Sequence, residues 1–367
     1  MESLGLITVI DVDFWRNKRV LVTGHTGFKG SWLCLWLQKM GANVCGYALP
    51  PPTSPSLFVE ARIAADMRSE SGDVRDLEAL CRLFAEFKPE IVFHMAAQSL
   101  VRVSYDEPVA TYATNVMGTI HVLEAARLMG GVKAIVNVTS DKCYENREMI
   151  WGYREPDAMG GYDPYSSSKG CAELVTSAYR NAFFNSADYA RHGVALASVR
   201  AGNVIGGGDW AKDRLLPDML RAFEQGASVE IRNPHAVRPW QHVLEPLSGY
   251  LLLAQRLYSE GASYAEGWNF GPQESDACPV ASIVGLVAGY WGDNANWHLS
   301  TEAHPHEAHH LKLDCSKAKS RLGWSPRWSL SISLAAIVQW HRAWLAGEDM
   351  HHYSLEELDR FMTSQPM

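Results

Sequence analysis

Nowhere among the 367 residues do 18 apolar residues run together, so no stretch reads as a membrane-spanning helix. Basic residues do not prevail: the formal net charge of -8 argues against a general nucleic-acid or anionic-membrane binder, while leaving room for a local Arg cluster that holds an anion. The seven cysteines (Cys34, Cys45, Cys81, Cys143, Cys171, Cys278, Cys315) are odd in number and contain no C-x-x-C, which suits reduced, mostly buried thiols better than a disulfide framework. Four histidines fall between His304 and Asp314, but without a compact H-x-x-x-H and carboxylate on one helix, and the expectation is no metal. The first residues, MESLGLITVIDVDF, carry acids where a signal peptide carries Lys or Arg, so a cytoplasmic location is expected. Internal repeats and low-complexity tracts are absent too. What remains, 47% apolar and 20% charged residues, is the composition of a globular protein with an ample core.

The most informative stretch is KRVLVTGHTGFKG, Lys18 to Gly30. An apolar strand runs into Gly24, Gly27 and Gly30, and a helical pattern follows from Ser31 to Met40. Glycines there let the backbone approach a pyrophosphate, for which the helix start supplies free N–H groups and the positive end of its dipole. The spacing is G-x-x-G-x-x-G, because His25 and Thr26 occupy the intervening positions. The second strand, from Asn43, ends at Tyr47-Ala48-Leu49 with neither the carboxylate that usually holds an NAD ribose nor an Arg for a 2′-phosphate, which leaves NAD favoured.

Strands and helices then alternate. A helix is expected after Asp73-Val74-Arg75-Asp76, ending at Phe87 before Lys88-Pro89, then a strand Ile91 to His94, a helix Val109 to Met129, a strand Lys133 to Val138, and a strand Val194 to Val199. Such βα repetition predicts an α/β fold: a Rossmann-type, doubly wound parallel sheet whose ligands sit beyond the carboxyl ends of the strands. Tyr165 and Lys169 are four apart, so a helix places them on one face, where an ammonium would lower the phenol and make it a base. Beyond residue 203 the pattern is shorter and mixed, with helices expected at Leu215 to Gln225, Leu244 to Ser259, Leu330 to Ala346 and Leu355 to Phe361, and a strand at Val229 to Arg232. The expected division is an NAD-binding domain over 16–202, joined by a returning segment at about 236–265, a smaller mixed α/β substrate lobe mainly over 203–345, and a C-terminal tail or helix over 346–367.

Taken in order, TGHTGFKG, GDVRD, HMAAQ, Thr114-Asn115-Val116, TSDK, YSSSK and RAGNVIGGGD resemble the extended short-chain dehydrogenase/reductase family over nearly the whole chain. Ser140-Asp141-Lys142-Cys143-Tyr144, Gly206-Gly207-Gly208-Asp209-Trp210, Arg238-Pro239-Trp240-Gln241-His242-Val243 and Trp268-Asn269-Phe270-Gly271-Pro272 narrow this to the nucleotide-sugar 4,6-dehydratase branch. The resemblance implies NAD as cofactor, held by Gly24, Thr26, Gly27, Phe28, Lys29 and Gly30 at the pyrophosphate. Asp73 and Val74 would lie at the adenine, and Ala96, Ala97, Gln98 and Asn115 along the ribose edge. Tyr165 and Lys169 would form the catalytic pair, Ser140 would bind the sugar 4-oxygen, and Asp141 would be the general acid. Lys142 stands where most such enzymes carry a Glu base at C5. A lysine serves there only as a neutral amine; otherwise it orients Asp141 or steadies the enolate. Asn203, Arg214, Leu215, Arg238 and Trp240 are expected to hold the nucleotide. The substrate implied is CDP-glucose, the setting deoxysugar (O-antigen type) biosynthesis, and the assembly a homodimer or higher homo-oligomer through the helices at 109–129 and 165–184. A 4-epimerase would share the glycine turn and Tyr165–Lys169 without needing an acid at 141. A dehydratase for another nucleotide-sugar, or an NAD(P)-sensing regulator without catalysis, are the other readings.

Overall fold

The computed structural model describes residues 10–231, 233–292, 295–300 and 311–367. Arg232, at the end of one expected strand, the first nine residues, and most of the histidine-rich stretch from His304 lie outside the described residues.

Six strands, β1 (Arg19–Thr23), β2 (Asn43–Ala48), β3 (Arg68–Ser71), β4 (Ile91–His94), β5 (Ala134–Val138) and β6 (Ala195–Arg200), join the short strand Gly267–Asn269 in one sheet. Its order is Gly267–Asn269, β6, β5, β4, β1, β2, β3, all neighbours parallel. The run RVLVT and its counterparts IVFH and AIVNV are buried on both faces, as a sheet with helices on each side requires. β1 and β4 are adjacent although the chain leaves β1 for β2. That reversal of strand order opens a crevice at the carboxyl ends of β1 and β4, where ligands of such sheets bind.

Most helices fall where their apolar periods place them. Phe28–Lys39 follows the glycine turn, and Leu77–Phe87 starts from Asp76, whose carboxylate accepts from Ala79 N at 2.9 Å. It stops at Lys88 in the left-handed region (φ 53°), just before Pro89. β3 was not expected: Arg68-Ser69-Glu70-Ser71 offers no apolar run, because it is a largely exposed edge strand whose polar side chains discourage further pairing. The helix expected at 109–129 is present, with one wide, π-type turn at Ala113–Met117 that carries Asn115.

Leu244–Glu260 packs on the sheet at β5 and β6, nearly all of its side chains buried. Past residue 203, Leu215–Glu224, Val280–Trp291 and Leu330–Leu345 share a separate apolar cluster around Met219, Phe223, Ile283 and Val287. The last helix, Met350–Thr363, is longer than its apolar pattern suggested and returns to the helix after the glycine turn: Phe361 stacks edge-on against Trp36 (5.7 Å) and Lys39 Nζ donates to Asp359 at 2.9 Å. Trp32 Nε1 donates to Gly207 O at 2.9 Å, pinning the Gly206–Gly208 loop to that same helix.

Glu245 is 1% exposed, and its carboxylate accepts from the backbone of Arg327 (3.0 Å) and Trp328 (2.7 Å). Burial outweighs those bonds and pushes its carboxyl up to about 7. A carboxyl raised in the fold contributes stability fully present below its unfolded value near ~4.3, lost as pH rises through about 7. In urea titrations from pH 5 to pH 8, wild type should therefore lose stability relative to Glu245→Gln. A difference that does not change with pH would contradict this.

Candidate active site

At the end of β1 the chain turns at Gly24 (φ +76°), and a Cβ there would lie 2.7 Å from Ala96 N. A Cβ on Gly30 would lie 2.1 Å from Gly24 O, so this turn closes tightly only without side chains. Gly27 caps Phe28–Lys39 without any side-chain hydrogen bond, leaving the first N–H groups of the helix open to a ligand. This is a cradle that fits a dinucleotide diphosphate. Thr26 Oγ1 donates to Leu49 O at 2.9 Å, tying the turn to the end of β2. His25 is buried beside β2 and β3, its Nε2 paired with Ser69 Oγ (2.8 Å), and burial lowers it to about 4. Phe28 turns toward the Gly206 loop.

The remaining residues expected along a cofactor follow the carboxyl ends of β3 and β4 or, for Asn115, the helix after them. Asp73 is held by Arg75 at 2.6 Å, which keeps its carboxyl below the usual range, while its carbonyl accepts from Tyr47 Oη at 3.2 Å. Val74 O pairs with His121 Nδ1 at 3.1 Å. Past β4, Ala96 N meets Thr23 Oγ1 at 3.2 Å, Ala97 follows half-buried, and Gln98 is gripped by Asn115: its N–H donates to Asn115 Oδ1 (2.8 Å), and Asn115 Nδ2 donates to Gln98 O (2.9 Å). Asn115 also donates to Ser168 Oγ at 2.9 Å, so the wide turn links the β4 loop to the helix of Tyr165.

That helix, Pro164–Ala182, begins with Pro164 at its first position and is capped by Asp163, which accepts from Ser166 N at 2.9 Å. Tyr165, Lys169 and Glu173 follow one another on its inner face, all buried. Opposite them β5 delivers Ser140 and Asp141. Ser140 Oγ donates to Asp141 Oδ1 at 3.0 Å and also accepts from Lys142 N at 3.2 Å, setting the short turn Asp141–Cys143. Asp141 is 3% exposed and fits only because residue 202 is glycine: a Cβ there would come within 1.9 Å of its Oδ2. Lys142 is half-buried at the edge of this turn.

The expected lowering of Tyr165 by its lysine is not what the site displays. Burial pushes Tyr165 up to about 12 against the opposing hydrogen bond with Ser140, and burial lowers Lys169 to about 8. Desolvation penalises both charged forms, and the Lys169 ammonium is directed at Val138 O (3.3 Å). Lys29, expected beside the pyrophosphate, reaches across the crevice to Tyr250 Oη at 3.4 Å. Burial, then the charges of Lys169 and Arg214, bring it down to about 7.

Asn203 follows β6 in a left-handed conformation (φ 42°) with its Nδ2 buried and unpartnered. Arg214 is paired with Asp209 (2.9 Å), reaches Ser99 Oγ (3.3 Å), and precedes Leu215 at the start of its helix. The structure thus brings Ser140, Asp141, Tyr165, Lys169, Lys29 and Arg214 to one crevice. Arg238 and Trp240 stand in the C-terminal lobe, Arg238 opposite Cys278 in a two-stranded ladder and Trp240 in the apolar cluster there. Gln241 ties this segment back, donating to Gly202 O at 3.2 Å.

Sequence reasoning missed Glu173, Arg200 and Tyr250. Glu173 and Arg200 form an ion pair with both side chains 4% exposed. Its signal was available, since Glu173 extends the Tyr165, Lys169 spacing by one more turn and Arg200 opens RAGN. Among the described residues no three His, Cys, Asp or Glu side chains gather as a metal site, and no helix is long and apolar enough to cross a membrane.

The sequence and the fold have counterparts among known proteins. The family described as GDP-mannose 4,6 dehydratase matches residues 21–336. The chain belongs to the nucleotide-sugar 4,6-dehydratases, a branch of the extended short-chain dehydrogenases/reductases. It is 64% identical over 356 residues, 97% of this chain and 99% of the relative, to CDP-glucose 4,6-dehydratase of Salmonella typhimurium. UDP-glucose 4-epimerase of Mycolicibacterium smegmatis is 26% identical, covering 88% of this chain and 98% of its own. Among solved structures, MoeE5 in complex with UDP-glucose and NAD superposes with a TM-score of 0.74 at 26% identity, covering 89% of this chain and 99% of its own. UDP-glucose 4-epimerase of Thermotoga maritima shares the fold at TM-score 0.76, 24% identity and the same coverage.

Replacing Gly202 by Ala should displace Asp141 while the sheet stays intact. Turnover should fall about two orders of magnitude, as misplacing a catalytic group by an ångström does, with the circular dichroism spectrum and melting temperature little changed. Wild-type turnover in a folded Gly202→Ala protein would contradict the assignment of that contact.

Proposed function

We propose that the chain is an NAD-dependent CDP-glucose 4,6-dehydratase, a hydro-lyase that converts CDP-D-glucose into CDP-4-dehydro-6-deoxy-D-glucose. The observation that carries this reading is the 64% identity to a CDP-glucose 4,6-dehydratase across nearly the full length of both chains. The acid beside the Tyr–Lys pair supports it, because an epimerase that only oxidises and re-reduces C4 has no hydroxide to protonate.

The glycine turn and the open start of Phe28–Lys39 would hold the NAD diphosphate, with Asp73, Val74, Ala96, Ala97, Gln98 and Asn115 along its adenosine half. What NAD supplies when bound is hydride acceptance from sugar C4 and return of that hydride at C6. Tyr165 takes the proton of the 4-hydroxyl and the Ser140 hydroxyl shares that oxygen, with Lys169 one helical turn further along the same face. The 4-ketone acidifies the C5 hydrogen. Asp141 protonates the hydroxide leaving C6, which would otherwise be a poor leaving group. Lys142, next along the turn, takes the C5 proton, or steadies the enolate while another base takes that proton. Reprotonation at C5 completes the loss of one water.

Arg214, with Asn203, Leu215, Arg238 and Trp240, would hold the nucleotide diphosphate and base, a planar guanidinium being suited to a bidentate grip on phosphate. The sheet with its returning helix Leu244–Glu260 serves the cofactor, and the lobe past residue 203 serves the nucleotide-sugar. Helices 108–129 and 164–182 expose Val109 (81%) and Leu174 (60%), apolar surface fitted to a four-helix homodimer contact. A cytoplasmic role in deoxysugar biosynthesis accords with this chemistry.

Incubated with NAD and CDP-glucose in deuterated water, the protein should yield a 4-keto-6-deoxy sugar carrying deuterium at C5, read by NMR. A C4 epimer, or faster turnover of another nucleotide-glucose, would overturn the assignment. Lys142→Met should slow elimination more than C4 oxidation, so reduced cofactor should accumulate at about 340 nm. Unchanged turnover without that accumulation would make Lys142 a bystander.

A further inference from the structure

We propose that Glu173 and Arg200, outside the reacting groups themselves, are positioning residues that clamp the Ser140–Asp141–Lys142 segment against the helix of Tyr165 and Lys169. The proposal rests on the dehydratase reading above.

The pair is bidentate: Arg200 Nε donates to Glu173 Oε1 at 2.9 Å and Nη2 to Oε2 at 2.8 Å. Replacing such a buried pair with well-packed apolar residues is often neutral or stabilising, so stability alone is a weak reason for charges here. Their other bonds supply a better reason. Thr139, immediately before Ser140, donates from Oγ1 to Glu173 Oε1 at 2.5 Å. Tyr144, immediately after the Asp141–Cys143 turn, accepts from Arg200 Nη1 at 2.5 Å and lies under its guanidinium, 5.0 Å from the ring centroid. The segment bearing Ser140, Asp141 and Lys142 is therefore gripped at both ends by one ion pair. Ser198 Oγ donates to Glu173 Oε2 at 2.7 Å and Arg200 Nη1 to Glu155 O at 3.1 Å, so β6 and the loop at 155 hold the clamp in turn. Tyr144 Oη passes the chain on to Asn269 Oδ1 at 2.8 Å, at the end of the last sheet strand.

Glu173 also lies one helical turn beyond Lys169, and its negative charge favours the Lys169 ammonium. Lys29 from the first turn of Phe28–Lys39, His94 from β4 and Cys143 from the clamped turn also bear on Lys169. Glu173 itself is faced by Arg200 on β6, Arg180 on its own helix and Cys143. One carboxylate thus bears on both the place of the acid and the charge of the lysine, opposing there the burial that lowers Lys169 to about 8.

The test compares wild type, Glu173→Gln, Glu173→Asp and Thr139→Val, each with NAD and CDP-glucose, following kcat and KM between pH 6 and pH 10 with melting curves alongside. Glu173→Gln should lower kcat at least tenfold with KM changed less than threefold. It should also move the alkaline limb of the kcat profile to lower pH, because a lysine that loses its anionic neighbour releases its proton sooner. Glu173→Asp should leave that limb in place. Thr139→Val keeps the ion pair and removes one grip, so kcat should fall several-fold with the limb unmoved, a result available even if Glu173→Gln does not fold. Wild-type kcat in folded Thr139→Val, or an unmoved limb in folded Glu173→Gln, would overturn the proposal. Failure of the dehydratase reading would instead show in wild type, as absence of the 4-keto-6-deoxy product.

Discussion

The arrangement of the crevice depends on the buried Arg200–Glu173 ion pair. The residue just past β5, β6, the Tyr165 helix and the last sheet strand each contribute a group bonded to it or to Tyr144. Each charge there would be costly if left alone, and each is satisfied only when all four elements are in register. The pair therefore couples correct docking of the sheet's carboxyl edge to correct placement of Ser140 and Asp141. Gly202 acts in the same place from the other side, supplying the space that lets Asp141 stand where it does.

Charge is distributed unevenly in the crevice. Lys29, Lys169 and Arg214 converge there, with the Asp141 carboxyl among them. Three basic groups beside the open helix start are suited to diphosphates, of which the proposed reaction brings two, one on the cofactor and one on the nucleotide-sugar, while Asp209 and Glu173 balance Arg214 and Lys169. Crowding and burial have opposite consequences for base and acid: Tyr165 is held protonated, while Lys29 and Lys169 are eased toward their neutral forms.

The sheet was legible because buried parallel strands are apolar runs: β1 (RVLVT), β4 (IVFH) and β5 (AIVNV) are rich in Val, Ile, Leu and Phe, while β2 (NVCGYA) and β6 (ALASVR) bury smaller and mixed residues. β3 was not, since an edge strand of Arg, Ser and Glu carries no apolar period. The glycine turn was legible from its spacing alone, and Gly24 and Gly30 do stand where a side chain has no room. Tyr165 and Lys169 could be placed together by helical spacing, but their electrostatics could not, because desolvation depends on what packs around them. Lys29 is the same kind of case: its position in the turn was plain, while its reach to Tyr250 depends on a helix more than 200 residues further along the chain. Partners brought together only by the tertiary fold, such as Arg200 with Tyr144, leave no local pattern to read.

In the proposed reaction a hydrogen leaves sugar C4 and the same one returns at C6 while water is lost. The most direct measurement uses CDP-glucose deuterated at C4, mixed with unlabelled substrate, and follows the label by NMR and mass spectrometry. Deuterium is expected at C6 of the 4-keto-6-deoxy product, with no crossover between molecules. Deuterium returned to C4, or lost to the medium while product forms, would contradict it.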